Sequence, residues 1–347
     1  MEPDLSDGVA GTPRLSVVVA CRDAEDLLGS QLAALARQTC PVPWELLVCD
    51  NGSKDGTVAL AESWADRLPL RVIDASAIPG AGPARNEGVR VAQGEWIGFC
   101  DADDEASDNW LARLCAALEV HPFVAGRFEG ERLNSARTLR SRAPDQQDDL
   151  QRSSPAVGLP HAGAGNLGIH RSVFLAVDGF DPSVRYLQDT DLCWRVQLAG
   201  YPLVFVPDLV MHVRLRSTLR SMYRQGRNYG ASQALLERRH AGAARRLAVG
   251  SPSPLAVAAA GAGTATGPTV GHGADVAGPD APDQGCDLGV QHGAEHGVEH
   301  GVKSRSWWQA GGKALRGAAR LARYFVRSRS SVGAQAWQLG WHLGHRS

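Results

Sequence analysis

The chain has 347 residues, 44% of them hydrophobic and 21% charged, with 36 Lys and Arg against 37 Asp and Glu. That is the make-up of a globular protein long enough to bury a large core, and the even balance excludes a basic coat for nucleic acid and a wholly acidic chain. No apolar run is long enough for a transmembrane helix, and the acidic start, MEPDLSDGVAG, lacks the apolar core of a secretory signal.

Residues 1–13 read as disordered. The β-branched run LSVVVA from Leu15 predicts a strand buried on both faces. Ala24 to Gln38 predicts a helix, with Leu27, Leu28, Leu32 and Leu35 at helical spacing. Glu45 to Cys49 predicts a second strand, and Asp55 to Arg67 a second helix capped by Asp55. A strand over Leu70 to Asp74, a helix over Gly82 to Gln93 and a strand over Glu95 to Cys100 come next. Strands alternating with helices of this length imply βαβ units and a mainly parallel α/β sheet.

Beyond Asp101 the spacing predicts a helix over Asn109 to Leu118 and a strand over Phe123 to Glu129. Residues 134–160 are polar and irregular and read as a mobile loop. A short helix from Arg171, a helix from Asp189 to Leu198, short strands at Leu203–Val206 and Val210–Val213, and an Arg-rich helix from Ser217 to His240 complete a domain over 14–248. Residues 249–302 are Ala/Gly/Pro-rich and read as a disordered linker. The histidines of its small repeat, His292, His296 and His300, sit among glycines that disfavour a helix, so a plain polar linker outweighs a metal site.

From Lys303 to the end there are nine Lys and Arg and no Asp or Glu. Trp307, Trp308, Leu315, Leu321, Tyr324, Phe325, Trp337, Leu339 and Trp341 interleave with these cations. Residues 303–347 thus form a basic amphipathic segment, suited equally to an anionic membrane surface and to docking on the acidic body of the protein. Nucleic acid is not an expected partner. The seven cysteines include no C-x-x-C pair, which points to reduced thiols and a cytoplasmic protein.

In open α/β sheets the ligand sits beyond the carboxyl ends of the strands. The segments there are CRD after the first strand, DNGSKDGT after the second, GAGPARNEG after the third and DADD after the fourth. No G-x-G-x-x-G comes after the first strand, which argues against a dinucleotide enzyme. Asp101 and Asp103, one residue apart on a bend, have the chemistry to address a divalent cation and a ribose hydroxyl. An acidic helix-entry turn is the plainer alternative. Asp50 at a strand end suits a nucleobase or ribose, or simply a turn. Arg85 and Asn86 begin a helix where a phosphate is favoured.

Taken in order, SVVVACRDAEDLL, VCDNGSKDGT, GPARNEGVRVAQGEWIGFCDADD, GNLGIHRSVFLAVDGFD and QDTDLCWRVQLAGYPLVFVPD, then His212, resemble the motifs of glycosyltransferase family 2, whose fold is GT-A. The resemblance covers about residues 14–240. It implies that Asp50 contacts the nucleobase, that Asp101 and Asp103 are the D-x-D pair with Asp103 the direct metal ligand, and that Asp189 is the general base. It implies that His212 joins the metal site and that Gly165, Asn166 and Trp194 lie at the acceptor pocket. Gln188 departs from the family, which usually has Glu there. Loss of that like charge leads to the expectation that Asp189 ionises more easily.

The expected function is metal-assisted, inverting transfer of a sugar from a nucleotide-sugar donor, most simply a UDP-sugar, to a hydroxyl of a lipid-linked or polysaccharide acceptor. Donor contacts fall to Asp50, Arg85, Asn86 and Asp101, the metal is Mn²⁺ or Mg²⁺, and the setting is cell-envelope synthesis on the inner face of the membrane. An inactive nucleotide-sugar-binding scaffold and a sugar nucleotidyltransferase-like enzyme are the alternatives.

Overall fold

The computed structural model describes residues 11–248 and 332–345. The elements begin β1 (Leu15–Cys21), α1 (Glu25–Ala36), β2 (Trp44–Asp50), α2 (Thr57–Glu62), β3 (Leu70–Asp74), α3 (Ala81–Val91) and β4 (Trp96–Asp101). Next come β5 (Glu105–Ala106), α4 (Trp110–Val120), β6 (Phe123–Glu129), α5 (Ala136–Ser141), β7 (Asn166–His170) and α6 (Arg171–Ala176). The chain then runs through α7 (Gln188–Leu198), β8 (Val204–His212) and α8 (Leu219–Ala248), and α9 (Val332–His345) belongs to the same compact unit as the sheet. The linker expected over 249–302 and the segment Trp307 to Arg327 lie outside the described residues. No described helix is long and apolar enough to cross a membrane.

The fold is mixed α/β with one eight-stranded sheet in the order β3-β2-β1-β4-β7-β6-β8-β5. Strands β3, β2, β1 and β4 are parallel, while β7 runs antiparallel to β4 and β6. The alternation of β1 explains its unbroken apolar run from Val17 to Cys21. Val17 and Val19 enter the cluster formed with Leu28, Leu32 and Trp110, and Val18 enters the opposite cluster with Phe99, Phe174 and Phe180. Successive side chains of a strand point to opposite faces, so a strand covered on both sides is apolar except where a polar side chain is paired, as Ser16 is with Glu45 at 2.7 Å.

Three regions differ from the sequence-based expectation. Helix α2 stops at Glu62 because the next bonds, Trp64 N–H to the Ala61 carbonyl at 3.0 Å and Ala65 N–H to Glu62 at 3.1 Å, span three residues and tighten the turn. The two short strands near 203–213 are one strand, β8. Its pairing with β6 jumps from Gly126↔Val206 to Arg127↔Val210, leaving Pro207 to Leu209 as an irregularity. The expected mobile loop at 134–160 is ordered. Ser135 caps α5 by accepting the Thr138 N–H at 3.2 Å, and Gln151 and His161 exchange backbone hydrogen bonds at 2.9 and 2.8 Å. Gln146 donates to the Gly126 carbonyl at 2.6 Å and accepts the Gly163 N–H at 2.9 Å. The polar side chains that make this stretch look like a solvated loop satisfy backbone groups instead.

Helix α8 is held to α7 by one buried carboxylate. Asp191 is 0% exposed, accepts from Arg195 Nε at 2.7 Å and is paired with His240 Nε2 at 2.8 Å. Burial opposes its ionisation, but the His240 hydrogen bond and the Arg195 guanidinium outweigh it and hold the carboxyl below its usual range. The stability it contributes is therefore present above the unfolded carboxylate pKa and is lost as pH falls through the lower folded value. Asp191→Asn leaves the Arg195 guanidinium without its counter-charge and His240 without its carboxylate partner. Chemical denaturation should show a loss of about 3 kcal/mol at neutral pH, and an undiminished midpoint would contradict this anchoring role.

Candidate active site

The sheet brings the predicted acidic strand ends together. In β1, Ala20 pairs with Asp101 of β4 and Cys21 with Asp50 of β2, so these positions share one edge. Between β1 and β4 the strand order reverses, which opens a crevice. A cavity of about 990 Å³ lies there, lined among others by Arg85, Asp101, Asp103, Asp104, Gly165 and Asp189.

Helix α3 reaches this edge because Gly88 lets it lie close to the sheet. A Cβ on Gly88 would come within 2.6 Å of Val18 Cγ1 and 2.7 Å of Cys49 Sγ. One turn earlier, Arg85 places Nη2 2.5 Å from Asp101 Oδ1 with its side chain only 5% exposed. Its Nε and Nη1 are buried and have no partner. Two unsatisfied guanidinium donors cost about 1–3 kcal/mol each, a cost that an oxygen-rich anion would remove.

Asp101, Asp103 and Asp104 bring one carboxylate oxygen each to within 4.8 Å of one another. Burial raises the Asp103 carboxyl, and the Asp101 charge adds to it. Asp104 is raised well above its ordinary value by burial, then by Asp101 and Asp103, although it accepts the Arg214 N–H at 2.9 Å. Crowded carboxylates that resist ionisation are also ones that gain from a divalent cation, and three oxygen donors suit a hard one. Gly165 borders this cluster, and a Cβ there would sit 2.9 Å from Asp101 Oδ2 and 3.3 Å from Asp104 Oδ2.

Asp189 enters the same cavity from the first turn of α7. The preceding Leu187 has φ 59°, a left-handed conformation that a leucine adopts only under tertiary constraint, and it turns the chain into the helix. Asp189 Oδ1 accepts the Thr190 N–H at 2.8 Å and Oδ2 the Ala164 N–H at 3.4 Å. Its carboxyl is raised above the ordinary value. Burial dominates and the Asp101 charge adds to it, while the Thr190 bond and the Arg85 charge act the other way.

Other motif residues are not brought into the cavity wall. Asn86 is used on the backbone of Phe180, donating to its carbonyl at 2.7 Å and accepting its N–H at 2.9 Å. Asn166 is fully buried. It donates to the Arg127 and Leu209 carbonyls at 3.0 and 2.8 Å and accepts from Trp110 Nε1 at 2.8 Å. Trp194 is also fully buried, donates to the Leu159 carbonyl at 3.1 Å and packs edge-on against His161 and His240. Asp50 closes its own turn by accepting from the Gly52 and Ser53 N–H groups and from Ser53 Oγ. His212 Nδ1 is 2.5 Å from Glu129 Oε2, and no atom of it joins the aspartate cluster. Its opposite number across β6 is Glu129 itself, so strand register supplies its partner.

Two residues of the site were not singled out by the sequence pattern. Asp104 is a full member of the cluster. His161 has Nε2 2.9 Å from Ser153 Oγ and Nδ1 3.2 Å from Thr190 Oγ1, beside Asp189. Burial lowers that imidazole to about 4, so it is neutral at physiological pH. Trp337 and Trp341 of α9 line the cavity as well. The structural role of Asn166 is testable. Asn166→Ala strands the Trp110 indole N–H and two carbonyls in the core, and should cost about 3 kcal/mol in denaturation while leaving nucleotide affinity unchanged. Wild-type stability with weakened ligand binding would return Asn166 to the binding surface.

Residues 16–177 match the model of the family described as Glycosyl transferase family 2. Among curated relatives, the chain is 28% identical over 154 residues to an uncharacterized glycosyltransferase, YfnE, of Bacillus subtilis, which is 40% of this chain and 39% of that protein. It is 34% identical over 111 residues to a PGL/p-HBAD biosynthesis glycosyltransferase of Mycobacterium bovis, 31% of this chain and 43% of that protein. Both matches span less than half of the relative's own length. Among solved structures, the mannosyltransferase PcManGT from Pyrobaculum calidifontis, in complex with GDP-Man and Mn²⁺, superposes with a TM-score of 0.56 at 18% identity, covering 96% of this chain and 87% of that one. That likeness is one of fold, and the fold is GT-A-like.

Proposed function

We propose that this chain, a glycosyltransferase of family 2, catalyses the inverting transfer of a sugar from a nucleoside-diphosphate donor to an acceptor hydroxyl, with a divalent cation held by Asp103 and its neighbours Asp101 and Asp104. The observation that carries the reading is the meeting, in one cavity, of three crowded carboxylates, a buried arginine with two unpartnered donors, and a separate carboxylate of raised proton affinity. A glycosyl transfer by single displacement needs those three functions and no protein nucleophile. The nucleotide-sugar and the Mn²⁺ in the mannosyltransferase of similar fold agree with it.

In this reading Asp189 accepts the proton of the acceptor hydroxyl as its oxygen bonds to the anomeric carbon. The bond from that carbon to the diphosphate oxygen breaks on the opposite face, and the electron pair leaves with the nucleoside diphosphate. Arg85 presents Nε and Nη1 to the diphosphate while Nη2 stays on Asp101, which fixes the guanidinium before the donor arrives. When bound, Mn²⁺ or Mg²⁺ supplies positive charge to the departing diphosphate. The raised affinity of Asp189 for a proton is what a base acting near neutrality requires. A base works only when deprotonated, so the acid limb of the rate profile should fall at a pH above the ordinary carboxylate range.

Four of the residues singled out in the sequence are replaced in this account, Trp194 among them, since it is fully buried on the Leu159 carbonyl. His212 has Glu129 as its partner, and Asn86 and Asn166 brace the backbone, so none of the four is assigned to a ligand. Asp50 is kept as a donor-side residue only through its backbone turn. The acceptor hydroxyl is that of a lipid-linked or polysaccharide glycan, and a UDP-sugar is the first donor to try.

The test pairs two variants. Asp189→Asn should lower the transfer rate by about 10²–10⁴ with nucleoside-diphosphate affinity unchanged. Asp103→Ala should abolish transfer and remove the Mn²⁺ dependence of nucleotide binding measured by calorimetry. Parallel loss of rate and nucleotide affinity in Asp189→Asn would make it a donor-site residue, and a wild-type metal response in Asp103→Ala would refute the cation site.

A further inference from the structure

One wall of the cavity comes from the two C-terminal helices, well beyond the segment that matches the family. Gln225, Tyr229 and Gln233 of α8 and Trp337 and Trp341 of α9 line it. The helices meet through glycines on both sides. A Cβ on Gly226 would run into the Trp337 carbonyl oxygen, and one on Gly230 into that of Trp341. Reciprocally, a Cβ on Gly340 would strike the Tyr223 carbonyl oxygen, and one on Gly344 that of Arg227. Paired small residues four apart allow backbones to touch, and here each helix supplies such a pair to the other. With both partners notched, α9 has one register on α8.

That register fixes the indoles. Trp337 and Trp341 are stacked with centroids 5.2 Å apart at 22°, and Trp341 stacks on His345 at 6.3 Å. The Arg142 guanidinium lies 4.6 Å from the Trp337 ring and donates to Gln225 at 3.0 Å, tying the loop after α5 to the same wall. Helix pairing runs through the glycines, so two large aromatic residues are not needed for it. Both indoles stay only partly buried, and Trp337 Nε1 is a donor with no partner. Rigid aromatic surface held against a polar cavity is the make-up of a ligand wall.

We propose that Trp337 and Trp341 form a saccharide subsite for the acceptor. The inference rests on the glycosyltransferase reading and names its acceptor class. A pyranose presents C–H groups on its faces and hydroxyls at its rim, which matches indoles set among Arg142, Gln225, Gln233 and Asp145. An acyl chain would call for a continuous apolar wall, which those polar heads interrupt. The C-terminal helix is then part of the catalytic unit and selects what the sugar is transferred to.

The experiment is saturation-transfer NMR on the full chain with UDP and Mn²⁺, using the methyl pyranosides of glucose, galactose, mannose and N-acetylglucosamine as probes and dodecyl phosphate as the lipid-like probe. At least one pyranoside should receive saturation on its ring C–H protons. Trp341→Ala and Trp341→Leu should each weaken that binding by about tenfold or more, while UDP affinity by calorimetry stays within about twofold. The leucine variant keeps apolar volume under α9, so its loss of binding reports the aromatic surface and not the packing. Leu343→Ala, an exposed residue of the same helix, should change nothing. Binding of no pyranoside by a protein that binds UDP, pyranoside binding that survives Trp341→Leu, or a Trp341-dependent signal on dodecyl phosphate alone would each overturn the proposal. Pyranoside binding that depends on Trp341 in a protein that binds no nucleoside diphosphate would refute the donor reading and leave the saccharide subsite standing.

Discussion

The architecture depends on how negative charge is concentrated at the end of β4. Three carboxylates bring oxygens within 4.8 Å of one another, and a single buried guanidinium, Arg85, is paired with one of them at 2.5 Å. The Asp101 charge adds to burial in raising the proton affinity of Asp103 and Asp104, so the cluster is under electrostatic strain in the free chain. Arg85 relieves part of it by holding Asp101, and its remaining donors face the same problem from the positive side. A ligand that carries both a cation and anionic oxygens resolves both at once. That complementarity, more than any one residue, is why the site reads as one for a metal-bound diphosphate.

The rest of the fold serves that concentration. The reversal of strand order between β1 and β4 opens the crevice, and Gly88 lets α3 sit low enough on the sheet for Arg85 to reach Asp101. Gly165 keeps the approach to the cluster free of a side chain. Helix α7 adds Asp189 from a strained entry at Leu187, and its neighbour Asp191 anchors α8 through His240. Helix α8 in turn seats α9. The two aspartates, two positions apart, thus divide the work. Asp189 faces the cavity with its proton affinity raised, and Asp191 faces the helices with its proton affinity lowered.

The parallel half of the sheet was legible because buried strands leave an unbroken β-branched run and because the segments after these strands all fall on one edge. Asp101, Asp103 and Arg85 could be singled out for that reason, and Asp189 only through the resemblance of its motif to the family. Side-chain direction was not legible. Asn86, Asn166 and Trp194 belong to recognisable motifs, yet the groups they satisfy lie 35 to 94 residues away, and only the fold brings those groups within reach. His212 obeys the same rule, since strand register sets it against Glu129. Asp104 escapes notice in the sequence because the D-x-D pair beside it already accounts for a cation, and the backbone N–H that holds it comes from Arg214, 110 residues on. Polar composition is misleading over 134–160, where side chains bind backbone in place of water. The Gly-x-x-x-Gly spacings at 226–230 and 340–344 are in plain view in the sequence, but their meaning lies in their pairing.

The central claim is that the cluster and Arg85 act together on a metal-bound diphosphate. The most direct measurement is calorimetric titration of UDP and GDP into the full chain, with and without Mn²⁺, for the wild type and for Arg85→Met. Nucleoside-diphosphate binding should require Mn²⁺ and should fall by at least about tenfold when the guanidinium is removed. Binding of equal strength without the cation, or binding unaffected by Arg85→Met, would contradict the claim.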